Sequence, residues 1–286
     1  MRKIRISGGE TMLLGGIAVA SGLVSAVVCI AAQAGLHSLW LAPVCFLGSA
    51  LGFVILAFLF LWIACLLVDQ RKPQEHDSRF YRTMMNLYIS AIVKALRVHI
   101  HTKGSHRIPK QGRFVVVCNH LSETDPVILL QVMKGHQLAF ITKRENTSKF
   151  LIGPLMHKIM CQPINRENDR EALKTIINSI RLIKEDEVSM GVFPEGYIKG
   201  DGLLHHFRSG VFKIAQKTKV PIVVCTVRNS PQIFKNIPKL KATEVYLNVV
   251  KTIQPEEYAE MNTVEIAQMV YELMAKDLGP ELVAAE

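Results

Sequence analysis

Apolar and polar positions divide the chain into two regions with different periodicity. Residues 11–32 and 41–68 contain no charged side chain, and each run is long enough to cross a hydrocarbon core about 30 Å thick as a helix. Only a short link separates the two runs, so the pattern predicts a membrane-anchoring helical hairpin over residues 1–72. In residues 73–97 the apolar positions recur with a helical period, which predicts an amphipathic linking helix.

Beyond residue 98 the pattern changes to short apolar runs that alternate with helical periods. The apolar runs, which predict strands, cover residues 98–100, 114–118, 138–142, 161–164, 188–193, 220–227 and 242–251. The helical periods cover residues 125–133, 148–160, 168–184, 208–218 and 263–276. Alternation of this kind predicts one α/β domain over residues 98–286, with a mixed, mainly parallel sheet flanked by helices.

The charges around the hairpin predict which side of the membrane carries the α/β domain. Arg2, Lys3 and Arg5 precede the hairpin, and Arg71 and Lys72 follow it. The positive-inside rule places both groups in the cytoplasm, so we expect the domain on the cytoplasmic side of the cell membrane. Two alternatives stay open at this point. The first is that the initial run is a cleaved signal peptide, which its basic start resembles, and the second is a re-entrant hairpin that enters one leaflet only.

Net charge and cysteine usage narrow the classes of partner. Lysine and arginine outnumber aspartate and glutamate by 34 to 24, and the resulting charge of +10 suits an anionic membrane surface or an acidic partner. The sequence has no zinc-finger or RNA-recognition pattern and no basic low-complexity tail, so we expect no nucleic-acid partner. The six cysteines are scattered without a C-x-x-C pair, which is typical of buried thiols in a reducing compartment.

The sharpest chemical signal is the turn that follows the predicted strand 114–118. The strand runs into Asn119 and His120, and Asp125 with Pro126 opens the next helical pattern, with Asp125 as its expected N-cap. A carboxylate this close to an imidazole can bond one ring nitrogen, fix the tautomer and leave the other nitrogen free as a base. We therefore predict that His120 and Asp125 form a catalytic pair.

Further polar residues follow other predicted strands. Glu195 and Gly196 come after one strand, and Lys143 and Arg166 come after two more. Because the carboxyl ends of parallel strands meet at one edge of a sheet, we expect these side chains to share a crevice with His120. Several cations around one crevice suit an anionic ligand, and arginine suits phosphate in particular.

Three other interpretations compete with this one. Ser122, close to His120, suggests a Ser-His-Asp lipid hydrolase, although the G-x-S-x-G elbow of such enzymes is absent. His99 and His101 alternate on one predicted strand, but no cysteine or carboxylate stands at ligand spacing, so we predict no metal site. A catalytically silent lipid-binding module is the third alternative.

Four motifs occur in a fixed order along the chain. They are Asn119-His120-x4-Asp125-Pro126, then Lys143-Arg144-Glu145 with Ile164-Asn165-Arg166, then Phe193-Pro194-Glu195-Gly196 with Phe207-Arg208-Ser209-Gly210, and finally Val220-Pro221-Ile222-Val223. Together they resemble the glycerolipid acyltransferases of the 1-acylglycerol-3-phosphate (lysophosphatidic acid) type. The resemblance covers about residues 80–250, and a hydrophobic two-helix element at the N-terminus also fits members of this family.

The resemblance implies transfer of a fatty acyl group from acyl-CoA or acyl carrier protein to the hydroxyl of a lysophospholipid. The implied acceptor is 1-acylglycerol-3-phosphate, the product is phosphatidic acid, and no cofactor is needed beyond the acyl donor. His120 would be the general base that lets the hydroxyl attack the thioester directly, and Asp125 would orient it. The implied substrate-binding residues are Asn119, Lys143, Arg166, Glu195, Gly196, Lys199 and Arg208.

The third motif departs from the pattern of the family. It usually reads Glu-Gly-Thr-Arg, whereas Tyr197 and Ile198 follow Gly196 in this chain. Ile198 stands where an arginine commonly contacts phosphate, and Lys199 offers a point charge without the bidentate fork of arginine. A different lysolipid or hydroxylated lipid is therefore an alternative acceptor. A membrane-bound lipid esterase or hydrolase is the alternative of a different class.

Overall fold

The computed structural model describes residues 2–3, 12–32, 40–165 and 167–284. It divides into two compact units, which are Met1–Ile4 with Pro73–Glu286, and Arg5–Lys72. Arg5, the link at 33–39 and Arg166 lie outside the described residues. Each unit is described here by itself.

The smaller unit consists of two apolar helices, α1 (Met12–Ala31) and α2 (Leu41–Leu66). Both are long and apolar enough to cross a membrane, and only 11% and 6% of their most apolar windows are buried. The core helix of a soluble protein would be mostly buried, so these exposed apolar helices are consistent with membrane association. The hydroxyl of Ser25 in α1 donates to the carbonyl of Ala42 in α2 at 2.8 Å, which pairs the two helices.

The larger unit is built on a mixed sheet. Its strands are β1 (Arg2–Lys3), β2 (Val98–Lys103), β3 (Val115–Cys118), β4 (Leu138–Lys143), β5 (Gln162–Ile164), β6 (Ser189–Val192), β7 (Ile222–Arg228) and β8 (Thr243–Ile253). In the described part of the chain their order in the sheet is β1-β2-β8-β7-β3-β6-β4-β5. Strands β7, β3, β6, β4 and β5 run parallel, whereas β8 is antiparallel to β7 and parallel to β2. The predicted mixed, mainly parallel sheet is confirmed.

Helices flank this sheet, as the alternating pattern predicted. They are α3 (Arg79–Ala95), α4 (Asp125–Val132), α5 (Ile152–Lys158), α6 (Asp169–Lys184), α7 (Lys213–Thr218), α8 (Gln232–Asn236) and α9 (Thr263–Leu278). The central strand β3 is buried at every position, which explains its unbroken apolar run of valines. Helix α6 begins at the predicted place, because the side chain of Asn168 caps it by accepting the N–H of Glu171.

Helix boundaries differ from the sequence prediction at three places, and α8 was not predicted. The linking helix expected over 73–97 is helical only at Arg79–Ala95. The helix expected over 148–160 is a 3-10 turn at Arg144–Ser148 followed by the shorter α5. Leu151 between them has a φ of +59°, which a continuous α-helix does not allow. The helix expected over 208–218 likewise begins as a 3-10 turn, Ser209–Phe212, before α7.

The parallel strands define two opposite edges of the sheet. At the carboxyl edge, strands β3, β4, β6 and β7 end, and the connections that follow them are 119–124, 144–151, 193–212 and 229–242. At the amino edge the same strands begin. Since β8 runs antiparallel to β7, its first residues also lie at the carboxyl edge. Every predicted site residue that the structure describes therefore lies at the carboxyl edge or on a connection that leaves it.

Candidate active site

The connection between β3 and α4 brings His120 and Asp125 together. Nδ1 of His120 lies 3.0 Å from Oδ2 of Asp125, and the same oxygen accepts the backbone N–H groups of Leu121 and Ser122 at 2.7 Å each. A carboxylate oxygen can only accept hydrogen bonds, so the ring nitrogen that faces it must donate. We therefore assign the ring proton to Nδ1 and the lone pair to Nε2. Nε2 has no hydrogen-bond partner in the described part of the chain, and the side chain is 16% exposed. The imidazole can therefore accept a proton from a bound molecule.

Asp125 is held differently from the prediction. The N-cap of α4 is Thr124 and Asp125 is the first helical residue, so the expectation that Asp125 caps the helix was wrong. Its carboxylate bonds backwards to the turn, because the N–H groups of Leu121 and Ser122 converge on it before the helix begins. The other oxygen, Oδ1, is buried without a hydrogen-bond partner among the described residues.

The imidazole ring of His120 belongs to a stack of three aromatic rings. Phe193 lies against His120 with ring centroids 4.2 Å apart and planes at 21°, and Phe140 continues the stack at 6.0 Å. The three rings come from β3, β6 and β4, which are neighbours in the sheet. Gly191 leaves room for this arrangement, because a Cβ at that position would lie 2.4 Å from the Phe140 ring. The stack therefore fixes the plane of the His120 ring.

Glu195, which follows β6, is buried and ties two loops together. One carboxylate oxygen accepts the N–H of His120 at 2.8 Å, and the other accepts the N–H of His205 at 3.0 Å. Burial raises the pKa of Glu195 to about 7, although the two N–H bonds act in the opposite direction. Both oxygens are occupied by the protein's own backbone, so the geometry gives Glu195 a positioning role. Its predicted contact with substrate stays a prediction.

Asn119 and Gly196 also serve the local backbone. The amide of Asn119 donates to the carbonyl of Val227 at 3.0 Å and accepts its N–H at 2.7 Å, which clamps the end of β3 to β7. Asn119 is 1% exposed, so the oxygen and the NH2 group of its side-chain amide both form their hydrogen bonds away from solvent. Gly196 has a φ of +84°, and the side chain of Arg208 lies directly over it, since a Cβ there would be 3.2 Å from Nε of Arg208. This approach requires glycine.

Three of the predicted cations lie at the carboxyl edge, Lys143 at the end of β4 and Lys199 and Arg208 on the connection that follows β6. Arg208 is exposed, and its backbone N–H donates to the carbonyl of Pro194 at 2.9 Å, which holds it beside the Glu195 loop. Lys143 is exposed at the end of β4, and Nζ of Lys199 lies 5.7 Å from the ring centroid of Tyr197. Arg166 lies outside the described residues. The structure thus places Arg208 and Lys199 on the connection that carries Glu195, whereas Lys143 shares only its edge of the sheet.

The competing chemistries find little support in the geometry. The hydroxyl of Ser122 accepts hydrogen bonds from the N–H and hydroxyl of Thr124, and His120 is not among its partners. In the chain as described, no group of three or more histidine, cysteine, aspartate or glutamate side chains could hold a metal ion. His99 and His101 bond the carboxylate of Glu244 on β8, and these bonds lower the pKa of Glu244 to about 2. Strand pairing brings Glu244 to them, which no sequence spacing indicated.

A free imidazole nitrogen at a strand end of an open α/β sheet is an arrangement that can serve as a general base toward a hydroxyl group. Comparison with known proteins makes the class specific. A family model described as Acyltransferase matches residues 99–228, which contain every predicted catalytic and substrate-binding residue. Residues 99–228 therefore form an acyltransferase domain, and the chain is an O-acyltransferase, as the four sequence motifs indicated.

Individual relatives agree with this assignment. A 1-acyl-sn-glycerol-3-phosphate acyltransferase of Borreliella burgdorferi is 26% identical over 203 residues, which cover 68% of this chain and 78% of the relative. A probable enzyme of the same name from Mycoplasma pneumoniae is 26% identical over 218 residues, covering 75% and 79%. The crystal structure of the 1-acyl-sn-glycerophosphate (LPA) acyltransferase PlsC from Thermotoga maritima superposes with a TM-score of 0.56 at 21% identity, over 79% of this chain and 89% of that one. The structural match shows the fold.

Proposed function

We propose that this protein transfers a fatty acyl group from an acyl thioester, acyl-CoA or acyl carrier protein, to the free hydroxyl of 1-acylglycerol-3-phosphate. The observation that carries the proposal is the unpartnered Nε2 of His120, held at the carboxyl edge by the bond between Nδ1 and Asp125. The acyltransferase family supplies the reaction class, and the names of the relatives supply the acceptor.

In this mechanism Nε2 of His120 takes the proton of the acceptor hydroxyl as its oxygen attacks the thioester carbonyl carbon. The tetrahedral intermediate then collapses, the carbon–sulfur bond breaks, and the thiolate leaves with the proton returned from His120. Asp125 stabilises the imidazolium that exists between these steps, because its carboxylate is buried and bonded to Nδ1. No acyl-enzyme is formed, and the chemistry requires neither cofactor nor metal.

The phosphate of the acceptor would be held by cations around the crevice. Arg208 is the strongest candidate, since its guanidinium is exposed and packs on the Gly196 turn beside Glu195. Lys143, Lys199 and Arg166 would add charge to the same anion. Ile198 cannot contribute in this way, so Arg208 would carry a larger share of phosphate recognition.

The membrane supplies the acceptor in this scheme. The helices α1 and α2 would anchor the chain in the cell membrane, and the basic residues at both ends of the hairpin favour the α/β domain on the cytoplasmic side. That side also contains the acyl donors. Cysteine labelling with a membrane-impermeant reagent, applied to intact cells and to inverted vesicles, tests this orientation directly when a cysteine is introduced at an exposed domain position such as Glu260.

The test of the function is an acyl-transfer assay on the purified full chain. One radiolabelled acyl group is presented on CoA or on acyl carrier protein to a panel of lysophospholipids that differ in headgroup. We expect transfer to 1-acylglycerol-3-phosphate, loss of transfer in His120→Ala, and substantial transfer in Ser122→Ala. Release of free fatty acid from phospholipid without transfer would reject the proposal in favour of hydrolysis. Transfer only to a lysolipid without a phosphomonoester would reject the acceptor.

A further inference from the structure

Eleven large apolar side chains are exposed among the described residues of 73–284, and five of them lie on helices α3, α6 and α9. The other six lie at the carboxyl edge, on the connections or in the short helices next to them: Phe150 (63% exposed), Ile152 (49%), Tyr197 (45%), Phe234 (54%), Ile237 (37%) and Leu240 (82%). The described connections at the amino edge, which are 104–114, 133–137, 185–188, 219–221 and 254–262, carry none. Exposed apolar groups gathered on one side of a domain mark an interaction surface.

One cluster is the 150 segment, residues 149–152, between the end of β4 and α5. Its apolar tip, Phe150 and Ile152, is held in place by the left-handed backbone of Leu151 at φ +59°. The ammonium group of Lys149 pairs with the carboxylate of Glu123 at 3.3 Å. Glu123 belongs to the turn that carries His120 and Asp125, so the 150 segment is linked directly to the catalytic turn.

The other cluster is the 240 segment, residues 234–241, between β7 and β8. It presents three apolar side chains together with Lys235, Lys239 and Lys241, and residues 229–243 contain no acidic residue. The guanidinium of Arg97 donates to the carbonyl of Leu240 at 3.2 Å, which fixes the most exposed side chain of the segment. Apolar side chains alternating with lysines are typical of surfaces that enter the headgroup layer of an anionic bilayer.

Strand order places the two segments on either side of the catalytic turn. Along the carboxyl edge the 240 segment follows β7, the catalytic turn follows β3, the Glu195 loop follows β6, and the 150 segment follows β4. These four strands are consecutive neighbours in the sheet. A flat surface that touches both segments would therefore cover the crevice that contains His120.

We propose that the 150 and 240 segments dock the carboxyl edge of the domain onto an anionic lipid bilayer. Phe150, Ile152 and Leu240 enter the interfacial layer, and the lysines of the two segments meet lipid phosphates. This inference rests on the proposed function, because docking presents the crevice to an acceptor that resides in the bilayer. The two helices of the smaller unit tether the chain, whereas the two segments set which edge of the domain faces the lipid.

The surface around the start of α9, at the opposite edge, has the opposite charge. Val264 is also exposed, at 64%, but it lies in the first turn of α9 at the amino edge. Residues 254–265 contain four glutamates and no lysine or arginine, so an anionic bilayer would repel that surface. Val264 therefore provides a matched control, with comparable exposure and the opposite electrostatic surroundings.

The first test measures the depth of single tryptophans in the full chain. Trp40 and Trp62 are replaced by phenylalanine, and Phe150→Trp, Leu240→Trp or Val264→Trp is added to this parent. In vesicles of phosphatidylcholine with 30% phosphatidylglycerol, brominated acyl chains should quench the indoles at 150 and 240 several-fold more than the indole at 264. Equal quenching at all three positions, or quenching at 264 alone, would overturn the proposal. A second copy of the chain covering the two segments would also leave 150 and 240 unquenched.

The second test separates docking from chemistry. The double variant Phe150→Glu with Leu240→Glu should transfer acyl groups to bilayer-embedded acceptor about tenfold more slowly, because two apolar insertions become charged. Its transfer to a short-chain acceptor dissolved as monomers should stay within about twofold of the parent. An equal loss on both acceptors would refute docking. If the parent itself transfers to neither acceptor, the proposed function fails, while the quenching result still decides whether this edge meets the membrane.

Discussion

The buried carboxyl group of Glu195 leads to a quantitative prediction about stability and pH. Burial raises its pKa from 4.5 to about 7, so between these two values the folded state keeps a proton that the unfolded chain has lost. The free energy of unfolding must therefore fall as the pH rises through this window, and the loss is complete above about 7. A shift of this size corresponds to about 3 kcal/mol, at about 1.4 kcal/mol for each pH unit.

Glu195→Gln removes the ionisation while keeping the shape of the side chain. We expect the wild type to lose about 3 kcal/mol more stability than the variant between pH 4.5 and 8, which corresponds to roughly 6–12 °C in Tm for a domain of this size. The assay is thermal unfolding of the full chain in detergent, followed by circular dichroism at half-unit steps of pH. Glu260→Gln is the control, because Glu260 is exposed and should leave the pH dependence unchanged. Parallel curves for the wild type and Glu195→Gln would refute the reasoning.

Three further predictions address the site. Asp125→Asn should lower kcat by roughly 10- to 150-fold, which is the equivalent of a hydrogen bond to a charged group, with a small change in Tm. Asp125→Ala should also destabilise the fold, because two backbone N–H groups lose their acceptor. Gly191→Ala should destabilise by about 1–3 kcal/mol in urea unfolding through collision with Phe140, and Phe140→Leu added to it should recover stability and rate. Arg208→Gln should raise the KM for a phosphate-bearing acceptor about tenfold or more with a smaller change in kcat, and a KM that does not move would remove Arg208 from phosphate recognition.

Local features of the site were predictable from the sequence. The bond between His120 and Asp125 spans one turn, so residue spacing alone brought the two side chains within reach. The helix after Asn168 was predicted with its cap, because asparagine before an amphipathic period is a local signal. The alternation of apolar runs with helical periods was enough for the mixed sheet, since that pattern reflects burial on both faces.

Contacts between strands that are distant in sequence were not predictable in the same way. Glu195 reaches the N–H of His120 and Phe193 reaches its ring only because β6 lies beside β3, and no spacing along the chain encodes that order. The helix predicted over 148–160 failed for a different reason. Gly153 and Pro154 are poor helix formers, and proline is tolerated only in the first turn, so the α-helix begins at Ile152. The residue before it, Leu151, has a positive φ that the periodicity of the pattern does not reveal.

The clamp between Asn119 and Val227 has a consequence for inhibitor design. With Glu195 holding the backbone of His120 and Asp125 holding the two residues after it, three buried side chains anchor the catalytic turn to three different elements. Because this turn is already ordered in the folded protein, binding a rigid mimic of the tetrahedral intermediate would not require further ordering of the turn. Such a compound would therefore lose little affinity to induced fit. Affinity gained by pre-shaping such a compound should therefore be retained on binding, with slow dissociation as its kinetic signature.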